Sequence, residues 1–145
     1  MPGLDRFLEA QRDIYDRAHD EIVAGAKRSH WMWFIFPQIA GLGHSSTARF
    51  YALSDLEEAQ DYLAHPILGQ RLAHCTDAML AWAGRRTAEA ILGDIDALKF
   101  RSSMTLFNAA TQSDGKDGRY ADALAAFCEG PHDQRTLDLL ESGSV

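Results

Sequence analysis

The sequence predicts an all-α protein: a compact, multihelical single domain of about seven helices. Two observations carry this. Apolar residues recur at helical spacing along most of the chain, and helix caps and stops separate them where a β protein would show paired stretches of strict alternation. With 145 residues and 46% hydrophobic composition, the chain suits one domain over residues 1–145, its core over about 4–140. Such a domain buries roughly two-thirds of the surface that its unfolded form exposes.

Each element has its own signal. Leu4, Phe7, Leu8, Tyr15, Ala18, Ile22 and Val23 line one side of an amphipathic helix of about five turns, with Arg6 and other charged residues opposite. Gly25 is its expected stop, and Lys27 and Arg28 would then complement the negative pole of the helix. Residues 30–36 are ambiguous. Their Trp, Phe and Ile favour a strand, while a solid apolar run also suits a short helix buried on every side, and Pro37 ends either. Beyond Gly41-Leu42-Gly43, Ser45 or Ser46 caps a helix carrying Ala48, Phe50, Tyr51 and Leu53. Ser54-Asp55-Leu56-Glu57 reads as a capping box opening a helix to about residue 64. Pro66 opens the next, whose apolar set is Leu68, Leu72, Cys75, Met79 and Leu80 and whose end is Gly84. A short helix runs from a Thr87 cap to Gly93, and a longer one covers 95–110. Helices over 120–128 and 134–140 follow a loop at 112–118 and a break at Gly130-Pro131, before a frayed tail at 142–144. No internal repeat or low-complexity segment interrupts the pattern.

The charge bounds the partners. A formal net charge of −7 opposes general nucleic-acid binding, which rests on clustered Lys and Arg, so any anion site is local. Cys75 and Cys128 form no CxxC pair, which indicates neither a disulfide framework nor a thiolate zinc site and fits a reducing, cytoplasmic compartment. His65, His74 and His132 lack metal-ligand spacing, Asp94 and Asp96 read as a turn before a helix, and no metal or cofactor is expected. The first residues lack the apolar core of a signal peptide, and the longest apolar run, 31–37, is too short for a bilayer, so no membrane association is expected.

Chemistry concentrates in residues 27–38 (KRSHWMWFIFPQ) and 41–46 (GLGHSS). Glycine and serine before a helix offer backbone N–H groups, hydroxyls and a positive helix pole, the means of holding a phosphate or carboxylate. The candidate ligand-binding residues are Gly43, His44, Ser45 and Ser46 for an anion, and Lys27, Arg28, Lys99 and Arg101 for countercharge. Trp31 and Trp33 would form a stacking wall, with His30, Gln38, Ser102 and Ser103 nearby and Tyr51 and Asn108 as further polar neighbours. Each has a plainer reading. The glycines and serines make a loop and a cap, the tryptophans are core, the histidines are structural, and Ser102 or Ser103 caps a helix at Met104. No catalytic residue is identified, and Cys75 falls on an apolar helix face where a thiol is inert. Residues 31–36, Trp33 included, are expected to be largely buried.

Residues 27–38, Gly41-Leu42-Gly43, 63–72 (LAHPILGQRL) and 102–107 (SSMTLF) together resemble a small bacterial domain-of-unknown-function family for which the label calpastatin is sometimes used. The resemblance covers about residues 4–140. It implies a mainly α-helical single domain, like the family's mycobacterial representative, and it implies no activity. The calpastatin label fits this chain poorly, because calpain-inhibitor segments are disordered and rich in Pro and Lys.

Two function classes follow. One is a small-ligand protein, enzyme or not, whose pocket joins the aromatic and glycine-serine segments around a nucleotide, nucleoside phosphate or ADP-ribose-like anion. The other is an interaction module that binds another chain, or a second copy of itself, through the aromatic segment. A concave pocket with convergent polar groups distinguishes the first from the flat apolar patch of the second.

Overall fold

The computed structural model describes residues 3–111, 118–127 and 133–142, which hold ten helices, seven of them of seven residues or more. They are α1 (Asp5–Gln11), α2 (Tyr15–Val23), α3 (Met32–Ile35), α4 (Ser46–Phe50), α5 (Leu56–Ala64), α6 (Leu68–Leu80), α7 (Ala88–Leu92), α8 (Asp94–Thr111), α9 (Arg119–Phe127) and α10 (Gln134–Ser142). The class is all-α, as predicted. The loop expected at 112–118 lies outside the described residues except for Gly118, as do Cys128, the break at Gly130-Pro131, His132 and the end of the tail.

The domain is assembled around α8, against which α5, α7, α9 and α10 pack. From Ser102 to Phe107 every residue of α8 is buried. A helix without a polar face must be enclosed by others. Rings continue this centre outward: Phe36 meets Phe100 edge-on at 5.0 Å, while Phe107 lies between Tyr62 at 5.5 Å and Tyr120 at 5.9 Å. The first turns of α8 differ, for Ile95 and Leu98 are 72% and 64% exposed. Asp94 and Asp96 lie inside the first turn of α8, not in a turn before it, and no helix begins at Met104.

The expected five-turn helix is broken. Its two parts, α1 and α2, are separated by Arg12, Asp13 and Ile14, and they pack on different partners, α1 on α3 and α2 on α6. Gln11 marks the divide, its amide donating to Phe34 O at 2.7 Å and to Tyr62 Oη at 3.1 Å. Arg6, expected on the solvent side, is 8% exposed. Its guanidinium is tolerated there because it donates to Phe50 O and Ala52 O, both at 2.7 Å, and to Gly3 O at 2.6 Å, with Glu58 at 3.4 Å.

Gly25 ends α2 as expected, at φ +77°, and a side chain there would meet the Trp82 indole at 2.8 Å. The chain then turns beneath Glu21, whose carboxylate accepts from Arg28 N (2.7 Å), Ser29 N (2.9 Å), Ser29 Oγ (2.7 Å) and Trp31 Nε1 (2.9 Å). The ambiguous segment resolves as one helical turn, α3, with Trp31, Met32, Ile35 and Phe36 buried. Trp33 and Phe34 are partly exposed, which corrects the expectation that Trp33 belongs to the core.

After α3 the chain makes a closed excursion. Ile39 and Leu53 form a parallel bridge, with Ala40 N donating to Leu53 O at 2.8 Å and Leu53 N to Gln38 O at 2.9 Å. Leu53 therefore belongs to the closure, not to the helix predicted for it. Within the excursion Ser45 caps α4, accepting from Ala48 N at 3.1 Å. The next box is one residue later than predicted: Asp55 caps Glu58 N at 2.8 Å, and Glu58 reaches back to Ser54 N at 2.9 Å. Among the described residues, no helix is long and apolar enough to cross a membrane.

Two outcomes test this packing. Trp31→Ala removes a fully buried indole and is expected to cost about 3–5 kcal/mol, with Trp33→Ala costing less than half of that, in parallel denaturant titrations; equal costs would contradict the assignment of Trp31 to the core. For Glu21, burial by itself raises the carboxyl pKa, but the donors from Arg28, Ser29 and Trp31 outweigh it and hold the group down at about 2, from an ordinary 4.5. A depressed folded pKa contributes stability that is present above pH 4.5 and lost as pH falls toward 2. Glu21→Ala should cost about 1.5–3 kcal/mol at neutral pH, and the variant should lose less stability than the wild type between pH 4.5 and 2, as followed by tryptophan fluorescence.

Candidate functional site

A cleft of about 320 Å³ opens where the excursion, the first turns of α8 and the start of α10 meet. Pro37 and the Ile39–Leu53 closure set the first wall, carrying Trp33, Gln38, Gly43 and Tyr51 along it. Helical spacing sets the second, since Ile95, Leu98, Lys99 and Ser102 fall on one flank of α8 with Arg101 at its margin. Asp133 and Arg135, from the start of α10, complete the rim.

The charged groups are individually positioned. Lys99 Nζ stands 3.9 Å from the centroid of the Trp33 ring and 3.2 Å from Asp96 Oδ1. The other oxygen of Asp96 holds Lys27 Nζ at 2.9 Å, and Lys27 in turn lies over Trp31, 5.2 Å from its centroid. Asp133 is the acidic member of the cleft, and its carboxylate is already engaged: Oδ2 accepts from Thr136 N (3.2 Å) and Thr136 Oγ1 (2.5 Å), with Ser102 Oγ at 3.0 Å. This caps α10. The rest of the wall carries an aromatic face at Trp33, an amide at Gln38 and the cationic side chains of Lys99, Arg101 and Arg135. Its chemistry is that of recognition: an oxyanion for the cations, a flat ring for Trp33, a polar edge for Gln38.

The cleft brings together seven of the residues singled out in the sequence: Trp33, Gln38, Gly43, Tyr51, Lys99, Arg101 and Ser102. The rest lie elsewhere. Trp31 is in the core and Lys27 is in its bridge to Asp96. Arg28 borders a separate shallow recess whose other charged groups are Arg17 and the four carboxylates of Asp13, Asp16, Asp20 and Glu21, a predominantly acidic setting. His30, His44 and Ser46 are exposed and do not line the cleft. Ser45 Oγ is occupied as a cap, and Gly43 is close-packed, a Cβ there meeting Ala48 Cβ at 2.6 Å. Ser103 is fully buried, and among the described residues its hydroxyl has no hydrogen-bond partner. Asn108 does not reach the cleft, whereas Tyr51 does. The positive charge lining the cleft thus comes from α8 and the start of α10, and not from the glycine-serine loop.

Sequence reading missed Asp133, Arg135, Ile95 and Leu98. Asp133 had a usable signal, an acidic residue directly before a helix. Nothing local marks Ile95 and Leu98 as exposed, because their apolar spacing matches that of a buried face.

The remaining reactive-looking groups are structural. Burial pushes the Cys75 thiol up to about 12, beyond what its hydrogen bond to Tyr15 and the Arg71 charge return, so it stays a thiol. Tyr15 rises to about 12 by burial and by its proximity to Cys75, and Tyr62 rises by burial within the core. His65 Nδ1 accepts from Ile67 N at 3.1 Å and Leu68 N at 3.2 Å, capping α6. Among the described residues, no three His, Cys, Asp or Glu side chains are gathered as metal ligands.

Comparison with known proteins places these features in a family. No curated protein matches the chain. A solved structure does: the conserved hypothetical protein Rv1873 from Mycobacterium tuberculosis is 46% identical, with 95% of this chain and 96% of that one covered and a TM-score of 0.89. The family model described as "Protein of unknown function (DUF1810)" matches residues 2–140. With nearly its whole length matched, the chain belongs to the DUF1810 family.

Proposed function

We propose that this protein binds a small anionic ligand with a planar ring, a nucleotide or ADP-ribose-like molecule, in the cleft between the 38–53 excursion and α8. The observation that carries the reading is the gathering of Lys99, Arg101 and Arg135 beside the partly exposed Trp33 in one concave site, on a chain whose net charge is −7. Cations concentrated against the overall charge favour an anionic ligand at that place, and a cleft of about 320 Å³ is within the range of small-ligand sites. Cytosolic metabolites are the natural source, given two cysteines in no paired motif. The interaction-module reading is less well supported, because Trp31, Met32, Ile35 and Phe36 are in the core and offer no surface to a partner.

The reading is tested with the purified full chain, first by thermal shift against nucleotides, sugar phosphates and ADP-ribose, then by titration calorimetry of AMP and ADP-ribose. Trp33→Ala is expected to weaken binding by about 1–3 kcal/mol through lost stacking. Arg135→Ala should weaken it by about 1.5–3 kcal/mol through a lost charge-assisted hydrogen bond. Arg28→Ala, on the acidic recess, should leave affinity unchanged. No thermal shift with any of these ligands, or wild-type affinity in both the Trp33 and the Arg135 variant, would overturn the assignment.

A further inference from the structure

The cleft has a neighbour across α8. A second recess, of about 620 Å³, lies between the segment from Gly84 to Glu89 and the end of α9, and Leu98 and Arg101 belong to both. Helical geometry explains the sharing. Ile95, Lys99 and Ser102 point to the first cleft, Asp94 and Ala97 to the second, and Leu98 and Arg101 stand on the crest between them. The two recesses are unlike. The first has Trp33 and Tyr51, whereas the second mixes Arg85 and Arg86 with the carboxylates of Glu89 and Asp94 and is floored by Ala125, Ala126 and Phe127.

We infer that the ligand is a nucleoside diphosphate sugar straddling α8, its base against Trp33, its diphosphate over the crest at Arg101 and its sugar in the second recess. This rests on the reading of the first cleft as a nucleotide site and extends it to a substrate class. Each part of the molecule meets its chemical complement. A base has a flat face for an indole. A diphosphate suits a planar guanidinium that can bind two oxygens at once, and its bent P–O–P link suits passage over a convex ridge. A sugar has no charge but many hydroxyls, and these donate to carboxylates such as Glu89 and Asp94 while accepting from Arg85 and Arg86. Leu98, at 64% exposure, is covered by such a ligand and left open by a mononucleotide that stops at the crest.

The experiment compares AMP with ADP-ribose on the full chain by titration calorimetry, using Ala126→Trp to fill the second recess from an exposed position on α9. A thermal melt matching that of the wild type establishes that the variant is folded, and Ala125→Trp serves in its place if it is not. ADP-ribose should bind the wild type at least about tenfold more tightly than AMP, and the tryptophan should abolish that advantage while leaving AMP unchanged. A Glu89→Gln, Asp94→Asn double variant should weaken ADP-ribose alone. If AMP and ADP-ribose bind equally and both ignore the tryptophan, the straddling ligand is wrong and the single-cleft nucleotide reading stands. If neither binds, both fall.

Discussion

The placement of the site depends on one carboxylate. Glu21 gathers four donors from the ten residues that follow it, and in doing so fixes the turn by which the chain leaves α2 and enters the core at Trp31. The indole N–H is one of these donors, and a buried Trp needs such an acceptor for it. With Trp31 fixed inward, one helical turn places Trp33 on the outer side, at the edge of the cleft. The partly exposed indole that lends the site its aromatic face is therefore a geometric consequence of the buried one two residues earlier.

A second constraint shapes the opposite wall. The excursion from Gln38 to Leu53 contains a five-residue helix too short to be stable alone, so its conformation is imposed from outside. The Ile39–Leu53 bridge closes its ends, and buried Arg6 binds the carbonyls of Phe50 and Ala52 as the chain leaves α4. The arrangement stabilises those carbonyls with a charge and, reciprocally, satisfies a guanidinium that would otherwise be costly to bury. Removing Arg6 would take these donors from the Phe50 and Ala52 carbonyls, and the wall carrying Gly43 and Tyr51 would loosen with it.

The elements legible in the sequence were those in which a local signal and the tertiary structure agree. Gly25 stops α2, Ser45 caps α4, Thr87 caps α7, and the long helix through Phe100 and Phe107 appears where its apolar set predicts it. Legibility failed where long-range partners decide. The break between α1 and α2 reflects the different helices on which the halves pack, the burial of Arg6 reflects carbonyls more than forty residues away, and α3 is a helix because Trp31 and Ile35 must both face inward. The site was half legible for the same reason. Of the expected Trp31 and Trp33 wall only Trp33 lines the cleft, together with Lys99 and Arg101, while Arg135 reaches it where Asp133 docks the start of α10 against Ser102 and Thr105. Proximity in sequence also misled, for Lys27, Arg28 and His44 adjoin the right segments and yet line other surfaces.

The Asp96 junction constrains where an anion could sit within the cleft. Its two oxygens hold Lys27 and Lys99, and each lysine lies over a tryptophan, so the core indole and the cleft indole are joined through a single carboxylate. These side chains are between 10% and 21% exposed, which leaves their electrostatics less screened than those of a surface pair. An anion arriving on the Asp96 side of Lys99 would meet that carboxylate's repulsion, offsetting much of what the ammonium offers. Elsewhere in the cleft it would have Lys99 over Trp33, with Arg101 and Arg135 also in the lining and with the carboxylate of Asp133 engaged by the donors of Thr136. For the ligand proposed above, charge balance would thus favour a place away from the Lys27 bridge and toward the crest of α8, where Arg101 lines both recesses.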